Sequence, residues 1–214
     1  MRKFIQVIIA IALCITSAIY VSKDIQARYS GSYSLIGGSI SEEAEKFILE
    51  EFSNVNSPQE LSRSISQFAF CNFVYDLSAT PYPQYADIDR FIYEMDFHGV
   101  CFEFAAFVKN VFCVIAENKG WGNIKCYLIS GYHMLDGGDT SKNHSWNCIA
   151  ITDENGDATL YNYDLTIDLT RYKKEQIPYG LSYVVRVSSQ SNLISAIKEH
   201  AKNVYPSYNY YHYT

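Results

Sequence analysis

Cys101, His144 and Asp164 are of the types, and in the order, needed for covalent attack by sulfur on a carbonyl carbon. A cysteine attacks as its thiolate, so a nucleophilic cysteine needs help in losing its proton. The N-terminus of a helix gives that help through unpaired N–H groups and the helix dipole. Cys101 follows a His98-Gly99 turn and opens an apolar run to residue 116 in which Glu103, Lys109 and Asn110 are the strongly polar members. The same amides would supply half of an oxyanion hole for a tetrahedral intermediate. Attack also needs a general base, and of the histidines at 98, 133, 144, 200 and 212, His144 stands where a strand begins, behind the Gly137-Gly138 pair. A third group must hold the imidazole in one tautomer, and Asp164 in Tyr163-Asp164-Leu165-Thr166 is an acceptor at the end of a later strand. Alone, each has a plainer role: a structural cysteine at a helix start, a packed histidine beside Trp146, a turn aspartate. Their combination in this order and spacing points to a thiol nucleophile.

The flanking elements must bring these residues together. Residues 39–53 read as a helix, with Ser41 as N-cap, Glu42 and Glu43 in the first turn, and Phe47, Ile48 and Phe52 on its apolar stripe. A second helix starts at Ser57-Pro58 and runs through Leu61, Ile65 and Phe68 toward Val74-Tyr75-Asp76. Residues 79–86, with Pro81 and Pro83, form a loop, and 87–95 a short helix. The helix from Cys101 is apolar around most of its circumference and is expected to be buried. Strands follow at 124–130, 145–152, 158–163 and 182–187, and a closing helix at 191–204. The Asn155-Gly156 pair signals a hairpin between the second and third strands. Counting from a turn centred near residue 155, His144 lies 11 before and Asp164 9 after, so the two are near neighbours across the ladder. A calcium loop is the rival reading of Asp153, Glu154 and Asp157, but the later ligands such a loop requires are missing. The order of elements predicts an α+β domain without internal repeats.

The chain has 214 residues, 48% of them hydrophobic and 15% aromatic, including 19 tyrosines; this suits one domain with a real core and excludes disorder. Arg2 and Lys3 followed by the apolar residues 4–21 read as an export leader, either a signal peptide cleaved after Ala18 or a membrane anchor. Residues 1–22 are thus assigned to the leader, 23–40 to a polar tether and 41–214 to the domain. Without Arg2 and Lys3 the chain carries 15 basic against 23 acidic residues, a net charge of −8. Phosphate backbones would repel it, so nucleic acid is not an expected partner. The cysteines at 71, 101, 113, 126 and 148 include no CxxC pair, so neither a structural zinc nor any other cofactor is expected. Cys71, Cys113, Cys126 and Cys148 lie in apolar sequence and read as buried free thiols, with disulfides among them as the alternative, for which the sequence assigns no pairing.

Gly99-Val100-Cys101 with Phe104-Ala105, then His144-Ser145-Trp146-Asn147, then Asp164-Leu165-Thr166, resembles the bacterial transglutaminase-like superfamily. The helix ending at Val74-Tyr75-Asp76 and the segment Ile129-Ser130-Gly131-Tyr132 add to the likeness, which covers about residues 57–170. The resemblance implies a papain-like fold, with Cys101 as nucleophile, His144 as general base and acid, and Asp164 as the group that orients the imidazole. It implies acyl chemistry on protein or peptide amide bonds at the cell surface, with hydrolysis by a peptidase or amidase foremost. Protein-glutamine transglutaminase activity and an inactive binding module of the same fold are the alternatives. The sequence departs from the family at one point. Transglutaminases use an upstream Trp as second oxyanion donor, and no Trp precedes Trp121 here. Gln84, Tyr85 or another group would have to serve.

Overall fold

The computed structural model describes residues 40–76, 97–134, 140–206 and 210–213, with backbone alone at 132–134, 140–143 and 210–213. The leader, residues 23–39 of the tether, the loop expected at 79–86 with Gln84 and Tyr85, and the short helix expected at 87–95 lie outside the described residues. Among the described residues no helix is long and apolar enough to cross a membrane.

The fold is α+β, as its element order predicts. Helix α1 (Glu42–Phe52) is capped by the Ser41 hydroxyl, which accepts from the Ala44 N–H at 3.1 Å. Helix α2 (Pro58–Asn72) begins with Pro58 behind the N-cap Ser57. It stops at Asn72, earlier than the sequence pattern suggests, because Phe73 turns to extended backbone and Val74–Tyr75 forms strand β1. This strand pairs in parallel with β2 (His98–Gly99), Tyr75 lying opposite Gly99. Helix α3 (Cys101–Lys119) follows at once and ends on Gly120, whose φ of 67° is the left-handed conformation a C-cap favours.

Strands β3 (Ile124–Met134), β4 (Thr140–Thr152), β5 (Ala158–Tyr163), β6 (Ser182–Val187) and β7 (Tyr210–Tyr213) form one antiparallel sheet in the order β6-β5-β4-β3-β7. The β4–β5 hairpin turns where the Asn-Gly signal stands. Its acids stabilise the turn: Asp153 Oδ1 accepts from the N–H groups of Asn155 and Asp157, and Arg186 Nη2 donates to Asp153 at 2.5 Å and to Asp157 at 3.2 Å. Four elements were not foreseen: strand β1, strand β2 where a His98-Gly99 turn was expected, helix α4 (Leu165–Glu175) directly after β5, and the edge strand β7. Helix α5 (Leu193–Val204) closes the fold.

Alternation along the strands divides the core between the two faces of the sheet. One face, with Ile149 and Tyr163, packs on α1, α2 and α3 through Ile48, Phe52, Leu61, Ile65, Phe107 and Phe112. The other, with Ile129, Trp146, Cys148 and Leu160, packs on Ile197 and Ala201 of α5. All five described cysteines are free. Cys148 is buried and Cys126 half-buried, but Cys71 and Cys113 are exposed, contrary to expectation, because each faces outward on its helix although its chain neighbours are apolar. Burial pushes the Cys148 thiol up to about 12 and the Cys126 thiol well above the ordinary range, so neither competes as a nucleophile.

Candidate active site

Helix α3 is held by apolar burial on nearly every side, with Phe104, Phe107, Val108, Val111, Phe112 and Ile115 all within 1% of full burial. Its first residue is Cys101, 6% exposed, so the sulfur is fixed where the helix presents its unpaired amides. Glu103 reaches back to accept from the Val100 N–H at 2.9 Å, which locks the chain entering the helix.

Strand β4 carries the imidazole. His144 pairs with Gly131 of β3, and its ring stacks on Trp146 with centroids 5.9 Å apart. Asn147 fixes the strand against the helix: its Nδ2 donates at 2.9 Å to the carbonyl oxygen of Ala105, one turn beyond Cys101. That bond is buried, and Asn147 itself is fully so. Three residues before Asn147, the His144 ring lies close enough to the Cys101 sulfur for the two to interact electrostatically.

The β4–β5 ladder ends on the Asn147–Tyr163 pair, and Asp164 is the next residue. It is also the N-cap of α4, where Oδ1 accepts from the Ile167 N–H at 3.1 Å. Its second oxygen, Oδ2, meets His144 Nε2 at 2.6 Å. One carboxylate thus caps a helix with one oxygen and orients the imidazole with the other. Because Asp164 takes Nε2, the nitrogen left for Cys101 is Nδ1.

Cys101, His144 and Asp164 are therefore brought together, and the side chains of the last two are only 13% and 4% exposed. Burial by itself lowers the His144 pKa, but its bond to Asp164, with the Cys101 sulfur adding to it, outweighs burial and raises the value to about 10. The charged form of the imidazole is thus favoured.

Two further residues border the group, and neither stood out in the sequence. Tyr205, just past α5, donates its hydroxyl to Asp164 Oδ2. Its ring meets those of His144 and Trp146 with centroids 5.2 and 4.6 Å away, so the carboxylate is oriented from two sides. Tyr75 on β1, opposite Gly99, has its pKa raised by burial and by the nearby Cys101. Nineteen tyrosines hide any two; only the β1–β2 pairing and the end of α5 distinguish these.

A cleft of about 610 Å³ lies farther down α3, lined by Lys109, Phe112, Cys113, Trp121 and Cys126, and a second of about 460 Å³ lies between β6 and α5. Neither includes Cys101, His144 or Asp164. Among the described residues no cluster of histidine, cysteine and carboxylate side chains could hold a metal ion.

No family model matches the chain, and no curated protein matches it. A solved structure from Cytophaga hutchinsonii, described as that of a proposed cysteine protease, is similar at 18% identity and a TM-score of 0.39. The likeness covers 69% of this chain and 44% of that protein, so the chain spans less than half the length of the protein it matches.

Proposed function

We propose that this chain is an exported cysteine hydrolase of papain-like, transglutaminase-like build that cleaves amide bonds in proteins or peptides. Cys101 is the nucleophile, His144 the proton carrier and Asp164 the group that orients it. The observation that carries this reading is the 2.6 Å bond between His144 and Asp164, together with Cys101 at the start of its helix, where its sulfur acts on the charge of the His144 ring. The leader at residues 1–22 supports export.

In the attacking form the proton lies on His144 and the charge on sulfur. The Cys101 thiolate adds to the amide carbonyl, and the electron pair of the C=O bond moves to oxygen. The oxyanion collapses, the C–N bond breaks, and the His144 imidazolium gives its proton to the departing nitrogen. An acyl thioester and a neutral imidazole remain. His144 then takes a proton from water, which adds to the thioester. The second collapse frees the carboxylic acid and returns the thiolate and the imidazolium. Asp164, held by Tyr205, keeps Nε2 engaged throughout, so the ring stays aligned as its charge changes.

The test is iodoacetamide labelling at pH 5.5, where ordinary thiols are protonated, followed by incubation with a peptide library with and without a primary amine. Cys101 is expected to be alkylated well ahead of exposed Cys71 and Cys113, and His144→Ala to slow that labelling at least tenfold. Cys101 acyl adducts that decay to free acid identify a hydrolase; amine incorporation identifies a transferase. Equal labelling of Cys101, Cys71 and Cys113, unchanged in the mutant, sinks the proposal.

A further inference from the structure

We propose that Tyr205 is a positioning residue of this site: its hydroxyl donates to the same Asp164 oxygen that holds His144, and by sharing that oxygen's charge it loosens the carboxylate's grip on the imidazole proton. The inference rests on the acyl chemistry proposed above, in which His144 gives a proton to the departing nitrogen and takes one from water in the next step. A ring held too firmly as imidazolium is a poor donor, because a general acid works best with a pKa near the working pH.

Two separate parts of the fold set the geometry. Asp164 is buried where β5 passes into α4. Its Oδ1 accepts from the Ile167 N–H, whereas Oδ2 accepts from both His144 Nε2 and the Tyr205 hydroxyl. Tyr205 stands at the end of α5, where its N–H donates to the Ala201 carbonyl at 3.0 Å. Ala201 is itself buried in the core on the far face of the sheet. The Tyr205 ring lies 4.6 Å from that of Trp146 and edge-on to His144 at 5.2 Å. The α5 backbone and these two rings together aim the phenol at the carboxylate.

A hydrogen bond to a carboxylate steadies its negative charge. Each donor therefore leaves Oδ2 with less charge to offer the next, and the imidazolium is the donor that depends on that charge most. Among the described residues, Asp164 and Cys101 act on the charge of the ring and raise its pKa to about 10. Tyr205 acts on it from α5, through the carboxylate. Removing the hydroxyl returns to His144 the charge that the phenol shares, so the ring holds its proton more tightly.

An NMR titration of the His144 ring tests the assignment. It is run in a Cys101→Ser background, where the sulfur no longer adds to the pKa, and the resonance is assigned by its loss in His144→Ala. Tyr205→Phe keeps the aromatic ring beside His144 and Trp146, and the same spectra report whether each variant is folded. It is expected to raise the His144 pKa by at least about half a pH unit, the scale of one hydrogen bond shared between two donors. An unchanged pKa overturns the proposal and leaves Tyr205 a packing residue. A lowered pKa overturns it too, because the hydroxyl would then steady the carboxylate against the ring rather than divide its charge. The hydrolase reading is judged separately, on the wild-type chain: if Cys101 is not alkylated ahead of Cys71 and Cys113 it fails, whatever the titration shows.

Discussion

His144 lies between an acid and a thiol, and its proton is what the surrounding residues control. Asp164 and the Cys101 sulfur together raise its pKa to about 10 against the pull of burial. The sign of the resulting pH dependence follows. The leaving nitrogen needs a proton from the imidazolium, which persists until pH reaches about 10, so activity should fall as pH rises through that value. In Asp164→Asn the strongest support for the charge is gone while burial still opposes it. Its alkaline limb is expected to move down by at least about one pH unit, with kcat reduced about 100-fold or more; a pH–rate profile of acylation reads both. The pair's contribution to folding has the same sense: present in full below pH 6.5 and lost as pH climbs to about 10.

Asp164 can serve two elements because a buried polar cluster holds them together. Tyr163 donates to the Ser62 carbonyl at 2.8 Å and meets Ser66 Oγ at 2.8 Å, while Ser66 Oγ lies 3.0 Å from Asp168 Oδ2. Asp168 Oδ2 also accepts from the Gly180 N–H at 2.7 Å. Gly180, at φ +75°, passes so close to Ser62 that a Cβ there would lie 2.3 Å from its Oγ. Ser66 and the Gly180 N–H both donate to Asp168 Oδ2, which favours its charged form, but burial outweighs them and raises its pKa to about 6. The folded chain therefore binds more protons than the unfolded one between pH 3.8 and about 6, and this cluster loses stability as pH rises across that window. Asp168→Asn, which mimics the protonated acid, should remove that slope from chemical-denaturation curves, an effect of at most about 3 kcal/mol. Of these elements, the β4–β5 hairpin was legible because Asn155-Gly156 sets its register, and the register alone predicts that His144 and Asp164 are neighbours. Helix α4 was not legible: Thr166, Ile167 and Thr170 are poor helix formers, and Asp164 reads as a turn residue until its N-cap bond is seen. The α2 boundary failed for a related reason, since the apolar stripe continues past Asn72 into a strand that packs equally well. Tyr75 and Tyr205 reach the site only through long-range pairing, which no local pattern encodes.

At the scale of the whole molecule, α5 joins the second core to the site, because it covers the far face of the sheet and ends on Tyr205. Its His200 is 1% exposed, neither ring nitrogen has a hydrogen-bond partner, and burial lowers its pKa to about 4. A histidine kept neutral in the fold but charged once released costs stability as pH falls from 6.5 toward 4. His200→Leu is expected to raise the melting temperature at pH 5 by more than at pH 8, and equal shifts at both would refute this source of acid lability. The position of Tyr205 has a consequence in time as well. The proposed nucleophile comes first in the chain, whereas the proposed base, the proposed orienting acid and the tyrosine that braces it follow at 144, 164 and 205. During synthesis Cys101 leaves the ribosome well before any of them, so a nascent or unfolded chain carries only an ordinary thiol, and on this proposal its reactivity arises when folding is nearly complete.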